Sequence, residues 1–240
     1  AQYAGFLMAL ILWKRYYGGL KKHITWRDVL QKQAMLRFFQ VNRDIFLRTL
    51  CLVIVTLFFT SVGAAQGEVV LAVNTLLMQL FTLFSYIMDG FAYSGEALAG
   101  KYIGAGNRIA LHRTVRQLFI WGIGLSTGFT LLYLFGGKAF LGLLTNEVSV
   151  IREAGNYFYW VLAIPLAGFA AFLWDGIFIG ATATRQMFYS MLAASASFFL
   201  VYYSLHEWMG NHALWLAFIV YLSRRGIMQE VLSRKILHQS

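Results

Sequence analysis

The sequence predicts an all-α protein, a polytopic bundle of membrane-spanning helices. Of its 240 residues, 59% are hydrophobic and only 12% are charged, whereas a soluble domain carries about 25% charged residues. The apolar residues form several runs near the length of about 20 residues that a helix needs to cross a bilayer. Most charged residues lie in the connections between these runs. The composition therefore excludes a soluble domain, and the lipid bilayer is the first predicted partner.

The apolar runs define the predicted elements in chain order. The first run starts without a preceding loop, so we expect the chain to begin partway through a helix of a larger protein. Six spans follow it, and we expect the helix of the last, short one to continue through Arg224 into an interfacial tail. The predicted runs are residues 2–13, 45–65, 69–91, 118–135, 157–179, 188–205 and 212–222.

The segment from Tyr16 to Asn42 is too polar to span the membrane. Its apolar residues are spaced for one helical face, and basic residues surround them. This pattern predicts a basic amphipathic helix on the inner membrane surface or, as an alternative left open, a solvated connector between two bundles. The apolar residues are Trp26, Val29, Leu30, Met35, Phe38 and Phe39, and the basic ones are Lys21, Lys22, Arg27, Lys32 and Arg37.

The distribution of lysine and arginine predicts the orientation of the spans. Every second connection, together with the C-terminal tail, holds eighteen of the twenty lysine and arginine residues, and the other connections hold only Lys138 and Arg152. Because basic connections remain on the cytoplasmic side, we expect a cytoplasmic C-terminus. The net charge of +10 is explained by these loops. We find no motif that reads RNA or DNA, so we predict no nucleic-acid partner.

Residues for catalysis or metal binding do not cluster in the sequence. All five histidines fall at predicted helix ends or in loops, without a metal-binding spacing. His206, Glu207 and His212 share one loop and could hold zinc, but isolated loop residues are the preferred interpretation. No nucleophile elbow, Ser-His-Asp pairing or phosphate-binding loop is present. We therefore predict a protein that is not an enzyme and has no metal site or cofactor.

Two Asp-Gly pairs, at Asp89 and Asp175, interrupt apolar runs. A carboxylate at the centre of a membrane helix costs about 2.5–3.5 kcal/mol, and less near an interface. Each acid lies about 20 residues from the outer end of its helix, which places it roughly 30 Å down, near the inner edge. Either the acid faces a polar cavity and binds a cation or proton, or it is structural and pairs with a basic residue such as Arg43, Arg48 or Arg185.

Further candidates for the substrate or ion pathway lie on the same helices. Hydrogen-bonding and adaptable apolar side chains suit a drug-like ligand. Those on the run of Asp89 are Asn74, Met78, Gln79 and Tyr86. Thr56 shares an approximate helix face with Thr49 and Thr60, where small polar residues line a cavity or simply pack between helices.

Pro165 lies in the middle of the fourth full span, residues 157–179, and we predict a hinge there. Proline removes one backbone hydrogen bond from a helix, and Gly168 and Gly176 add compliance to the same run. A hinged helix suits alternating access in a transporter, although such helices also occur in rigid bundles.

Four stretches together resemble the MATE (multidrug and toxic compound extrusion) family, in its DinF-like branch. They are NRDIFLRTL at residues 42–50, DGFAYSGEALAGKYIGAGN at 89–107, DGIFIGATATR at 175–185 and ALWLAFIVYLSRRG at 213–226. The resemblance covers essentially the whole chain. It implies the C-terminal half of a twelve-helix transporter in a bacterial plasma membrane.

The resemblance also implies a division of the chain and a function. Residues 1–17 would end a helix of the N-terminal lobe, residues 18–42 would form the basic cytoplasmic connector between lobes, and residues 43–240 would form the six-helix C-terminal lobe. Family members exchange inward-flowing cations for organic, often cationic, substrates, and the N-terminal lobe would be the main partner. The alternatives are a lipid-linked oligosaccharide flippase of the same superfamily or, less favoured, a membrane-embedded enzyme.

The expected coupling ion is the proton, with sodium as the alternative. The sodium-linked branch has a glutamate in its seventh helix and an aspartate in its tenth, roughly a turn or two before the position of Asp175. The corresponding residues here, 45–65 and 167–172, contain no acid. In DinF-like members the proton-accepting aspartate lies in the first helix of the N-terminal lobe, so the resemblance makes neither Asp89 nor Asp175 the coupling acid.

Overall fold

The computed structural model describes residues 2–17 and 31–239. The described residues form seven α-helices and no strand, which confirms the predicted all-α class. The helices are α1 (Gln2–Tyr17), α2 (Lys32–Ala65), α3 (Glu68–Gly104), α4 (Arg108–Leu144), α5 (Val148–Gly180), α6 (Thr184–Met209) and α7 (Asn211–Gln239).

Five of the described helices are long and apolar enough to cross a membrane. These spans are Met35–Ala65, Glu68–Gly104, Arg108–Gly137, Val148–Gly180 and Thr184–Met209. Helix α7 is not apolar enough to be counted as a membrane-spanning helix. The hydropathy of the chain therefore does not support the predicted sixth span at residues 212–222. The reason is local, since Arg224 and Arg225 follow its short apolar run.

Residues 1–42 and 43–240 form two compact units. In the first unit, α1 exposes most of its apolar side chains, among them Phe6 and Trp13. Residues 18–30 of the predicted connector lie outside the described residues. Its remaining part belongs to α2, which runs without a break from Lys32 because proline is absent and the first glycine is Gly63. The assignment of these segments to a lobe end and a connector stays a prediction.

In the second unit, α5 is the central helix and packs against α3, α4, α6 and α7. The side chains of α2 reach α6 and α7 through aromatic contacts. Phe58 packs edge-to-face on Phe198 and Phe199 of α6, and Phe59 on Trp215 of α7. Because lipid is as apolar as these side chains, close packing and polar contacts between helices stabilise the bundle.

Helices α3 and α5 approach each other at two glycines of α5. A Cβ atom on Gly176 would lie 2.0 Å from the carbonyl oxygen of Ala92, and one on Gly180 would lie 2.3 Å from that of Glu96. Only glycine permits such contact between two helix backbones. This approach brings Asp175 next to the segment of α3 that carries Asp89.

Candidate functional site

Asp175 is the centre of a buried ion cluster formed by Arg48, Asp175, Arg225 and Gln229. Its carboxylate forms ion pairs with Arg48 of α2 and Arg225 of α7, and it accepts a hydrogen bond from the Gln229 amide. Only 6% of Asp175 and 5% of Arg225 is exposed. A buried charge is tolerated when it is paired and hydrogen-bonded, and Asp175 meets both conditions. The cluster joins three helices.

Arg48 is one of the three basic residues predicted as a partner of the two acids, whereas Arg225 and Gln229 were not predicted. Arg43 instead pairs with Asp44, with 3.1 Å between Nη2 and Oδ1. Arg185 donates to the Tyr189 hydroxyl at 3.1 Å. The signal for the missing partners was available, because Arg225 and Gln229 lie four residues apart and therefore on one face of the last helix.

A cavity of about 350 Å³ borders the ion cluster. We call it the charged cavity. Two arginines and three carboxylates line it, which gives a net charge of −1 when all five are ionised. The apolar part of its wall includes Leu52, Phe81 and Phe172. The five charged residues are Arg48, Asp89, Glu96, Asp175 and Arg225.

Asp89 is held quite differently from Asp175, although both line the charged cavity. Asp89 is half-buried, and no ion pair or hydrogen bond of its carboxylate appears among the described residues. Glu96, seven residues further along α3, is also half-buried and faces the same cavity. Since the two arginines are engaged by Asp175, the carboxylates of Asp89 and Glu96 are the charges left to meet a ligand.

A second cavity, of about 280 Å³, lies between α2 and α3. We call it the threonine cavity. Four of the predicted candidates, Thr56, Asn74, Met78 and Gln79, line it. Asn74 is buried and forms a reciprocal amide pair with Asn211 at 2.8 and 2.9 Å. The side chain of Asn74 therefore joins helices as well as lining a cavity.

The remaining candidates lie away from both cavities. Tyr86 is 72% exposed and lines neither of them. Pro165 is buried within α5, which stays continuous around it. The Thr130 hydroxyl of α4 donates to the Leu162 carbonyl at 3.2 Å, within a turn of the proline. A side-chain donor from a neighbouring helix is a common companion of proline in membrane helices.

The two cavities follow each other along the groove between α2 and α3. Leu52 and Phe81 line the charged cavity, whereas Thr56 and Thr82 line the threonine cavity. Leu52 and Thr56 are one helical turn apart on α2, and Phe81 and Thr82 are consecutive residues of α3. In the part of the chain that the structure describes, no group of three His, Cys, Asp or Glu side chains could hold a metal ion.

Comparison with known proteins finds a family whose model matches more than half of the chain. The MatE family model matches residues 45–203. The chain is 35% identical to DNA damage-inducible protein F of Escherichia coli (strain K12), over 98% of this chain and 51% of that protein. It is 27% identical to the probable multidrug resistance protein NorM of Photorhabdus laumondii, over 54% of this chain and 29% of that protein.

A plant protein is also similar. Protein DETOXIFICATION 45, chloroplastic, of Arabidopsis thaliana is 25% identical over 75% of this chain and 32% of its own length. The chain thus spans about half the length, or less, of the curated relatives it matches. The matched residues 45–203 contain Arg48, Asp89 and Asp175 but end before Arg225.

Proposed function

Because the chain belongs to the MatE family and resembles its DinF-like members, we propose that it forms the C-terminal lobe of a multidrug exporter. The proposed substrates are hydrophobic, often cationic, organic compounds. Their export is coupled to inward flow of a cation, which is the proton, with sodium as the alternative. The lobe works together with an N-terminal lobe in a bacterial plasma membrane, with the C-terminus in the cytoplasm. It is a transporter rather than an enzyme.

The observation that carries this proposal is the carboxylate of Asp89 in the charged cavity, for which the described residues provide no ion-pair partner. An acid within a membrane-spanning helix is costly and usually marks a pathway for an ion or a substrate. Asp175 is fully engaged by two arginines and a glutamine. Asp89 is therefore the proposed contact for the positive charge of a substrate in this lobe, while Asp175 holds the helices around it.

Alternating access is the proposed mechanism, with a hinge at Pro165 in α5. Two observations support a moving unit built around this helix. Proline interrupts its hydrogen bonds in the middle of the span, and beyond it Gly176 and Gly180 hold α5 tightly against α3. The part of α5 after the proline and the adjoining α3 would then move together, and they carry both aspartates.

An oligosaccharide flippase is less well supported by the same cavity. Recognition of a lipid-linked pyrophosphate calls for free arginine or lysine side chains. The two arginines of the charged cavity are both paired with Asp175, and the cavity carries a net charge of −1 with all five groups ionised. A cation is the better electrostatic match.

Ethidium transport by everted membrane vesicles tests the proposed function. Ethidium is added outside vesicles that contain the chain together with its N-terminal lobe, because their cytoplasmic face points outward, and its export into the lumen is followed by fluorescence while a proton gradient is imposed and then collapsed. We expect transport to stop when the proton gradient collapses. Vesicles with the 240-residue chain alone should transport nothing, because the other lobe supplies half of the pathway walls. Transport that survives collapse of the proton gradient would rule out proton coupling, and a requirement for sodium would support the alternative ion.

A further inference from the structure

All four threonine hydroxyls of the threonine cavity use their only proton within their own helix. Each donates to the backbone carbonyl four residues earlier: Thr56 to Leu52 at 2.9 Å, Thr60 to Thr56 at 3.1 Å, Thr75 to Leu71 at 2.8 Å and Thr82 to Met78 at 2.8 Å. A hydroxyl has one proton and two acceptor lone pairs. Towards the cavity these four groups can therefore only accept hydrogen bonds.

The other polar groups of this cavity leave acceptors in the majority. The Asn74 oxygen already accepts hydrogen bonds from Asn211 and Trp215, each at 2.9 Å. Gln79 is exposed, and its amide, which has no hydrogen-bond partner among the described residues, adds one donor group and one acceptor. None of the described residues that line the cavity is charged, and Phe59 and Met78 supply apolar contact. The described lining is thus neutral and rich in acceptors.

A ligand group that fits these walls must donate hydrogen bonds and carry apolar substituents. The volume of about 280 Å³ is close to the lower end of ligand pockets, roughly 300 Å³, and far larger than a bare inorganic ion requires. A carboxylate, phosphate or carbonyl group has no proton to donate to the four threonine oxygens and finds a donor only in the Gln79 amide among the described lining residues. A protonated primary, secondary or tertiary amine offers N–H donors, and its alkyl groups suit Phe59 and Met78.

We propose that the threonine cavity binds the N–H group of protonated amines and thereby distinguishes them from quaternary ammonium ions. This inference rests on the proposed export of organic cations and adds a selectivity to it. The positive charge of the ligand does not distinguish protonated amines from quaternary ammonium ions, because Asp89 in the neighbouring charged cavity attracts both kinds of cation. A quaternary ion has no N–H, so it leaves the threonine acceptors without a partner, and unpaired acceptors that lose water reduce affinity.

Direct binding to the purified protein, without any ion gradient, tests this selectivity. The probes are tributylammonium and methyltributylammonium, which both carry one positive charge at pH 7 and differ by the exchange of N–H for N–CH₃. We expect the first to bind about tenfold more tightly in equilibrium dialysis, as loss of one hydrogen bond to a charged donor implies. Equal affinities for the two probes would overturn the proposal.

Matched variants locate the selectivity. In a Thr56→Val, Thr75→Val double variant the hydroxyls are lost at nearly constant shape, and the affinity ratio should fall below about twofold. Thr56→Ser, Thr75→Ser should keep the ratio. Thr49→Val is the control, because Thr49 makes the same bond to Ile45 at 2.9 Å on the same helix but lines neither cavity. Selectivity that persists in the valine variant would refute the assignment.

The two proposals can fail separately. Selective binding without any ethidium efflux would refute the proposed transport and leave the amine site standing. Efflux with equal affinity for the two probes would refute the amine site and leave transport standing. Thermal unfolding of the valine and serine variants, measured beside the wild type, shows whether each variant is folded, and the serine variant decides the question if the valine variant is not.

Discussion

The two Asp-Gly pairs of this chain are alike in sequence, but the bundle holds them in opposite ways. Asp175 is 6% exposed and bound to Arg48, Arg225 and Gln229. The following Gly176 touches the backbone of α3. Asp89 faces the same charged cavity without an ion pair in the described structure, and a Cβ atom on Gly90 would meet nothing within 4 Å.

The difference separates a structural acid from a chemically available one. The carboxylate of Asp175 stabilises the junction of α2, α5 and α7, and its arginines would be left as buried unpaired charges without it. The carboxylate of Asp89 stabilises no junction that the structure describes. What a buried acid does is decided by the side chains that other helices bring to it, and an identical dipeptide carries no information about them.

The largest expected effect is that of Asp175→Asn. Removing the negative charge leaves the buried Arg225 and the half-buried Arg48 without their ion-pair partner, so the free energy of unfolding should fall by about 3–5 kcal/mol. Thermal and denaturant unfolding of the purified protein in detergent measures it. Asp89→Asn is the matched control and should change the free energy of unfolding by less than about 1 kcal/mol. If both variants lost the same stability, the contrast between the two acids would be wrong.

A smaller loss is expected for Gly176→Ala. The added methyl group would lie 2.0 Å from the Ala92 carbonyl oxygen, so α3 and α5 must separate, at a cost of about 1–3 kcal/mol. The same unfolding measurements check it. Gly124→Ala is a control within a helix, because nothing lies within 4 Å of its Cβ position. An unchanged melting temperature for Gly176→Ala would contradict the close contact between these helices.

For Asp89→Asn the main effect should be on ligand binding. Loss of a carboxylate that meets the charge of a bound cation should weaken ethidium binding about tenfold, or about 1.4 kcal/mol. Fluorescence titration of the purified protein measures the affinity. Glu68→Gln removes an exposed acid at the start of the same helix and should leave it unchanged. Wild-type affinity in Asp89→Asn would remove Asp89 from the substrate pathway.

The fold was largely predictable from the sequence because the apolar length of a helix is a local property. Helices α3 to α6 contain the predicted runs, but they extend further. The span predicted at residues 69–91 continues as α3 to Gly104, because no proline interrupts it. Helix α7 is not apolar enough to count as a membrane span, because its own basic residues lower its mean hydropathy.

The site was less predictable because its contacts join distant parts of the chain. Asp175 and Arg225 are fifty residues apart in sequence, and Asn74 and Asn211 are 137 apart. The spacing of apolar residues along the sequence cannot predict contacts between residues so far apart. The sequence alone left the cavity-facing and structural interpretations open for both acids, and the packing of α7 supplied the partners of Asp175. Thr56 and Thr60 were recognisable as part of a shared helix face. Thr75 and Thr82 of α3 were not predicted, and neither were the hydrogen bonds of the four hydroxyls to the helix backbone.

The smallest expected effect, and the one of opposite sign, is that of Gly90→Ala. Gly90 is exposed in the interior of α3, and its Cβ position is open. Alanine is the better helix former by roughly 0.8–1 kcal/mol, so the melting temperature of Gly90→Ala should rise slightly, whereas that of Gly176→Ala should fall.

Ethidium efflux by the Gly90→Ala variant then tests whether Gly90 is needed for transport. Unchanged efflux would make the glycine incidental, whereas lower efflux in a more stable protein would show that flexibility beside Asp89 is needed for transport. A fall in stability would instead mean that Gly90, like Gly176, lies against a neighbouring helix, and the contrast between the two Asp-Gly pairs would then be limited to their acids.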